Sequence, residues 1–301
     1  MRHVILGAGA VGGLVGAALA HEGEDVTVLL RAESLAGHPR QLCLERHSGR
    51  IDAPVRLETT LSVGVDVLWI AVKAHQFVAA LSTIPPDGLR SATIIPLLNG
   101  IEHVALLRSR FKQDCVVPAT IAVESERLAP GRIIQRSPFV RLALSSTGER
   151  KLSGVAARLR NAGFSCEFQA DEKTMLWSKL AFLAPFALTG AASGKDKLGI
   201  FADAAWRGRL ESVVGEACAV AAADGAAVDQ EKILTTLASL PATMRSSMQK
   251  DVSAGRMPEL DAIGGPIIRA GRRHGLDVPT TRELVARIQE HLLQARYDVA
   301  T

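Results

Sequence analysis

Residues 3–16 read His3-Val4-Ile5-Leu6-Gly7-Ala8-Gly9-Ala10-Val11-Gly12-Gly13-Leu14-Val15-Gly16, an apolar run, a glycine-rich turn, and then small and aliphatic residues that predict a helix over 11–21. Gly7, Gly9 and Gly12 fill the pattern G-x-G-x-x-G directly after a strand and at the start of a helix. In that setting the first glycine permits a tight turn, the second lets the backbone approach a pyrophosphate, and the third lets helix and strand pack closely. The first N–H groups of the helix lack intrahelical partners and point at the phosphates. A glycine pattern alone also occurs in ordinary packing turns. Its position decides for a dinucleotide, because a second apolar strand over 25–30 completes the βαβ unit. The same stretch superficially matches a signal peptide, with Met1-Arg2-His3 ahead of an apolar run that ends Ala18-Leu19-Ala20. Glycines at fixed offsets serve a turn instead, and no other segment reaches ~18 uninterrupted apolar residues, so no membrane span is expected.

Outward from this unit, 65–72 and 93–98 are apolar almost throughout, which suits parallel strands covered on both faces. Beyond Phe111, the segments 115–123, 132–135 and 139–144 alternate or carry β-branched residues, with Ala129-Pro130-Gly131 and Ser137-Pro138 between them. They predict hairpin-connected strands closing the same sheet. A helix over 149–161 and a strand over 164–168 follow. From Asp171 the strand signals stop and long helical patterns take over, interrupted at 194–197, 223–225 and 274–279. Pro185 falls inside an apolar helical pattern, where loss of a backbone donor predicts a kink or break between Ala181 and Pro185. The expected fold is α/β, an N-terminal Rossmann-type dinucleotide-binding domain with a mixed sheet (1–170) followed by an all-α substrate and dimerisation domain (171–301).

A length of 301 residues agrees with two domains, since single cores stop growing near ~250–300 residues. With 48% apolar and 22% charged residues, the chain has ample material for globular cores and is neither disordered nor fibrous. The formal charge is +4, with basic residues scattered and not in runs, which argues against a nucleic-acid surface. Cys43, Cys115, Cys166 and Cys218 lie far apart, with neither zinc spacing nor disulfide density. No metal site and a reducing cytoplasm are expected.

Cofactor choice is read at the end of the second strand, where an acidic residue would bind the ribose 2′-hydroxyl. Here the chain has Leu29-Leu30-Arg31. A guanidinium is a fixed charged fork suited to a 2′-phosphate and has no acceptor for a hydroxyl proton. Arg31 therefore points to NADP, against the simpler role of a solvated arginine opening a loop.

Taken with Arg31, the glycine turn is followed in order by Ala71-Val72-Lys73-Ala74-His75-Gln76, Leu98-Asn99-Gly100, Leu176-Trp177-Ser178-Lys179-Leu180-Ala181, Ser246-Ser247-Met248-Gln249-Lys250-Asp251, Pro258-Glu259-Leu260-Asp261 and His274-Gly275-Leu276-Asp277-Val278-Pro279. This ordered set resembles the ketopantoate (2-dehydropantoate) reductases over almost the whole chain. The resemblance implies NADPH-dependent reduction of a small 2-oxo acid, ketopantoate to pantoate in pantothenate and CoA biosynthesis or a related reaction. It assigns Lys179 as the proton donor, Ser247 as a ligand of the substrate carboxylate, and Glu259 as a polar contact to substrate or nicotinamide. It also places Asn99 at the nicotinamide ribose or the substrate, and Lys73 near the cofactor. Each has a plainer alternative: a surface lysine, a capping serine, a helix-start glutamate, a turn asparagine, a strand-end lysine. His75, His103 and His274 have no partner at a catalytic or metal spacing and receive no role.

One departure bears on substrate. Members of this family carry asparagines one and two turns beyond the lysine, whereas this chain has Leu183 and Ala187 there, and no asparagine after position 161. An apolar pocket separates analogues by only ~1–3 kcal/mol, while a site that hydrogen-bonds a hydroxyl discriminates far more strongly. Substrate choice is therefore expected to lie with a bulkier or less polar 2-oxo acid. The competing reading is an NADPH-binding sensor that keeps the fold without the chemistry. A homodimer through the helical domain would use helices near 205–222 and 266–274.

Overall fold

β1 (Arg2–Leu6) is buried from His3 onward and forms the middle of a parallel sheet. α1 (Ala10–His21) follows it, then β2 (Asp25–Leu29), α2 (Ala32–Leu35), β3 (Gln41–Arg46), β4 (Gly49–Pro54), β5 (Arg56–Glu58), β6 (Val67–Ile70), α3 (Phe77–Ser82), β7 (Thr93–Pro96) and α4 (His103–Arg110). β8 (Ala119–Ala122), β9 (Ser125–Ala129), β10 (Arg132–Gln135), β11 (Arg141–Ser145), α5 (Glu149–Asn161) and β12 (Ser165–Gln169) come next. Helices alone then remain: α6 (Glu172–Ser193), α7 (Lys197–Ala202), α8 (Ala204–Ala223), α9 (Gln230–Ala238), α10 (Ser247–Ser253), α11 (Leu260–His274) and α12 (Pro279–Ala300). The computed structural model describes residues 1–61, 64–85, 89 and 91–300, with 295–300 described by backbone alone. Residues 1–98 and 102–172 form one unit, and 99–101 join the residues from Lys173 onward in the other.

In the first unit the order β5-β2-β1-β6-β7 is parallel throughout. Strand order reverses between β1 and β6, so ligands are expected at the carboxyl ends of these two strands. α1 is nearly featureless in side-chain size because it is covered on two sides. It packs on β1 and β2 and also on β3, β4, β9 and β10, which make a four-stranded sheet in the order β4-β3-β10-β9. A Cβ on Gly13 would meet Ile133 of β10 at 2.6 Å, and one on Gly16 would meet Leu42 of β3 at 3.0 Å. Larger residues would push the two sheets apart.

The expected closure of the parallel sheet by the later strands is not what forms. β9 and β10 pair with the β3–β4 hairpin, a pair of strands to which the sequence reading assigns nothing, while β12-β11-β8 make a separate three-stranded sheet. That sheet lies beside β7 through one parallel bridge, Ile94 to Val116, just ahead of β8. The alternating Leu42 and Leu44 need an apolar partner at α1, and Ile133 supplies the other wall, so inter-sheet burial outweighs extension of the first sheet.

The second unit is helical, as expected, and its helices stop or start at 193–197, 223 and 274–279, where the interruptions stand in the sequence. Of the kink or break expected between Ala181 and Pro185, the break does not occur, since α6 continues to Ser193. Proline inside a helix costs ~3 kcal/mol through a lost donor and a crowded carbonyl. Full burial of Phe186 (4% exposed) and Leu188 (0%) contributes ~1.5–3 kcal/mol each, and these two are only part of the core that α6 completes. Thr189 Oγ1 also donates to the Pro185 carbonyl at 2.6 Å. α6 is apolar and long enough to cross a membrane, but 72% of its most apolar window is buried inside the protein. The apolar stripes of α8 and α11, the two candidate dimer faces, are likewise used internally: Val213, Val214, Ala217, Ile263, Ile267 and Ala270 all belong to this one core.

Candidate functional site

The candidate nucleotide-binding residues lie in the first unit, where the local structure depends on missing side chains. Gly7 has φ +109°, a left-handed backbone that only glycine adopts readily. A Cβ on it would stand 2.7 Å from the Ala71 carbonyl carbon and 2.8 Å from the Val72 amide nitrogen, so β1 and β6 exit side by side with no room between. A Cβ on Gly12 would run into the Gly7 carbonyl and approach Ile5 at 3.0 Å. Gly9 differs, since among the described residues no atom beyond its own chain neighbours lies within 4 Å of its Cβ position. It is the N-cap of α1, and no side chain caps that end. The three glycines thus divide between packing (Gly7, Gly12) and open backbone facing free N–H groups (Gly9), which fits a pyrophosphate.

Arg31 stands two residues beyond β2 as the N-cap of α2, fully on the surface at 76% exposure. Among the described residues it pairs with Glu33, Nε to Oε1 at 3.4 Å, between two exposed groups. Such pairs are worth ~0–1 kcal/mol, so a dianionic phosphate competes easily for the guanidinium. Lys73 is half-buried after β6, where it precedes a short 3-10 turn over Ala74–Gln76.

A second group of candidate residues lies in the helical unit, where charges are held in place. Lys179 sits in the second turn of α6, half-buried, with Leu176 and Leu180 buried beside it in sequence. Desolvation pulls its pKa down to about 8, against the Glu259 carboxylate, which acts to raise it. Glu259 is 6% exposed at the N-cap of α11, where the helix dipole favours an anion. Asn99 Nδ2 donates to Glu259 Oε2 at 3.1 Å. Next to it, Gly100 (φ +84°) has no room for a Cβ because of the Ala262 carbonyl, so residues 99–101 lie directly on the first turn of α11. The structure therefore brings together Lys179, Glu259 and Asn99, which come from three distant segments.

Ser247 opens α10 and is exposed, while the neighbouring Ser246 caps that helix by accepting from the Gln249 N–H at 3.1 Å. Leu183 is half-buried and Ala187 fully buried, both on the helical core. Of the histidines set aside, His103 meets Phe77 edge-on and His274 contacts Asp224 at 3.2 Å. Two contacts escaped the sequence reading, Asn99 with Glu259 and Trp177 with Asp224, which are 160 and 47 positions apart. No local pattern encodes either.

Family models match both parts of the chain: "Ketopantoate reductase PanE/ApbA" over residues 3–146 and "Ketopantoate reductase PanE/ApbA C terminal" over 171–291. A 2-dehydropantoate 2-reductase of Caulobacter vibrioides is 29% identical over 289 residues, covering 94% of this chain and 96% of the relative. Among solved structures, a PanE/ApbA family ketopantoate reductase from Ralstonia eutropha superposes with a TM-score of 0.88 at 26% identity, covering 98% of this chain and all of that one. D-mandelate dehydrogenase, solved with NADH and anilino(oxo)acetate, has the same fold at a TM-score of 0.86 and 19% identity, over 98% and 99% of the two chains.

Proposed function

Because the chain belongs to the ketopantoate reductase family, whose members are oxidoreductases, we propose that it reduces the keto group of a small 2-oxo acid with NADPH. The observation that carries this reading is the grouping on the helical unit of Lys179, half-buried on α6, with the buried Glu259 carboxylate that acts on it and the Asn99 amide that holds that carboxylate; desolvation draws the Lys179 pKa down to about 8. When bound, NADPH would supply the hydride. The free N–H groups at the start of α1, beside Gly9, would hold its pyrophosphate, Arg31 would take the 2′-phosphate, and Lys73 would stand near the cofactor. As the carbonyl carbon gains hydride, charge develops on its oxygen, and Lys179 Nζ delivers the proton that makes the hydroxyl. A pKa near 8 keeps this donor mostly protonated at neutral pH and still acidic enough to give the proton up. Glu259 preserves the ammonium form, Asn99 fixes the direction of that carboxylate and contacts the nicotinamide ribose or substrate, and Ser247 binds the substrate carboxylate. Solvent then restores the proton on Lys179.

The substrate is a 2-oxo acid with a bulkier or less polar side chain than ketopantoate. Leu183 and Ala187 support this, since neither offers a hydrogen bond to a substrate hydroxyl along the helix that carries Lys179. Unpaired Cys43, Cys115, Cys166 and Cys218 support a reducing, cytoplasmic setting.

Oxidation of NADPH and of NADH, measured against a panel of 2-oxo acids, tests the proposal. NADPH should be preferred by at least ~tenfold, the loss expected for one charge-assisted contact, and Arg31→Ala should erase that preference. A clear preference for ketopantoate would overturn the substrate assignment. Tight NADPH binding with no oxidation by any 2-oxo acid would overturn the reductase reading and leave a nucleotide-binding sensor.

A further inference from the structure

Asp224 follows the last residue of α8, and its carboxylate collects side chains from two other helices. Oδ2 accepts from Trp177 Nε1 at 2.9 Å, and Oδ1 accepts from Arg273 Nη2 at 3.0 Å and contacts His274 Nε2 at 3.2 Å. Its backbone carbonyl accepts from Lys173 Nζ at 2.7 Å, and Thr174 Oγ1 accepts from the Ala227 N–H at 2.8 Å. Lys173, Thr174 and Trp177 occupy neighbouring positions on the first turns of α6, so one side of that helix is fastened to the turn at 224–227. Trp177 itself is 1% exposed. Lys179 lies two residues further on, about 200° around the helix, and so projects away from the fastened side. Fixing Trp177 fixes the roll of α6 and with it the direction of the Lys179 ammonium.

The same carboxylate holds the other helix of the polar cluster. Arg273 and His274 form the end of α11, and Glu259 is the N-cap at its beginning. α11 runs from Leu260 to His274 without a break, through Pro266, over about 22 Å, so its two ends belong to one helix and a restraint on Arg273 and His274 also bears on the end that carries Glu259. We infer that Asp224 is a positioning residue that clamps α6 and α11 so that Lys179 and Glu259 face each other in a fixed geometry. The clamp rests on the reading of Lys179 as proton donor. It adds that the donor's placement is set by a carboxylate at the turn after α8, which reaches the lysine's helix through Trp177, two residues before Lys179. The lowered pKa of Asp224 agrees, since the Trp177, His274 and Arg273 contacts overcome the upward push of burial and keep it ionised.

Trp177→Phe removes the indole donor together with part of a buried ring, and Asp224→Asn removes the charge at nearly constant shape, so the second variant separates the lost contact from lost packing. Lys179 is read directly in the full-length protein by competitive acetylation across pH with mass-spectrometric detection, which needs no turnover, and melting temperature is recorded alongside. Loosened helices let water return to Nζ, so its titration midpoint should rise by about one pH unit in both variants. In turnover, kcat should fall at least ~tenfold with NADPH affinity unchanged. A lowered melting temperature with an unmoved Lys179 midpoint in either variant overturns the clamp, because that is the signature of a purely structural contact. A shifted midpoint in a protein that reduces no 2-oxo acid would remove the reductase reading and leave the clamp standing.

Discussion

The two units prepare for ligands by opposite means. The first removes side chains: Gly7 and Gly12 let backbone segments touch, and Gly9 leaves N–H groups bare. The second keeps long charged side chains and restrains them, with Asn99 on Glu259, Glu259 acting on Lys179, and Asp224 on Trp177. An anion-binding backbone is prepared by local geometry alone and costs little reorganisation. A buried ammonium near a carboxylate is prepared only by the packing of several helices, and its acidity is a property of that packing. Substitutions in the first unit should therefore act on binding or folding, and those in the second on proton transfer.

Lys179→Met should break the contrast most severely. kcat is expected to fall ~10²–10⁴-fold, the usual contribution of a positioned proton donor, while NADPH affinity by fluorescence titration stays the same. Weakened NADPH binding with normal kcat would place Lys179 on the wrong side of the division. Next in size are the paired variants Gly12→Ala and Gly9→Ala. Gly12→Ala forces its methyl into the Gly7 carbonyl and should lower stability by ~1–3 kcal/mol in denaturant titration. Gly9→Ala has open space and should leave stability unchanged while weakening NADPH ~tenfold. Equal destabilisation by both would mean that Gly9 is a packing glycine too. The smallest effect is a shift in pH. The donor must be protonated, so kcat/KM should decline as pH rises through about 8. Glu259 raises the Lys179 pKa, so Glu259→Gln should move that decline to lower pH. Movement to higher pH would show that the carboxylate does not hold the ammonium form.

Legibility followed the same division. The glycine turn, the strand after it and the stretch of helices from 172 can be read from sequence because each depends on neighbours a few positions away. The helix over 149–161 has the bounds that its pattern predicts. The placement of β9 and β10 against β3 and β4 was hidden, because sheet membership depends on which surfaces remain to be covered after α1 packs. The helix does not break at Pro185 for a related reason, since the penalty of one residue is local and visible while the core that offsets it is neither. In the polar cluster, Lys179 and Glu259 were singled out through a resemblance, and their mutual influence comes from coordinates. Asp224 had no signal, as a lone aspartate before Gly225 reads as an ordinary helix stop.

Residues 99–101 count with the helices although they leave the parallel sheet directly after β7. The functional half that carries the lysine is consequently not one continuous stretch of gene. A fragment starting at 173 would lose the amide that steadies Glu259 and the glycine that lies on the Ala262 carbonyl. Splitting or swapping the helical half at the obvious boundary would discard a contributor of three residues, and a chimera would need to carry this tripeptide from the same parent.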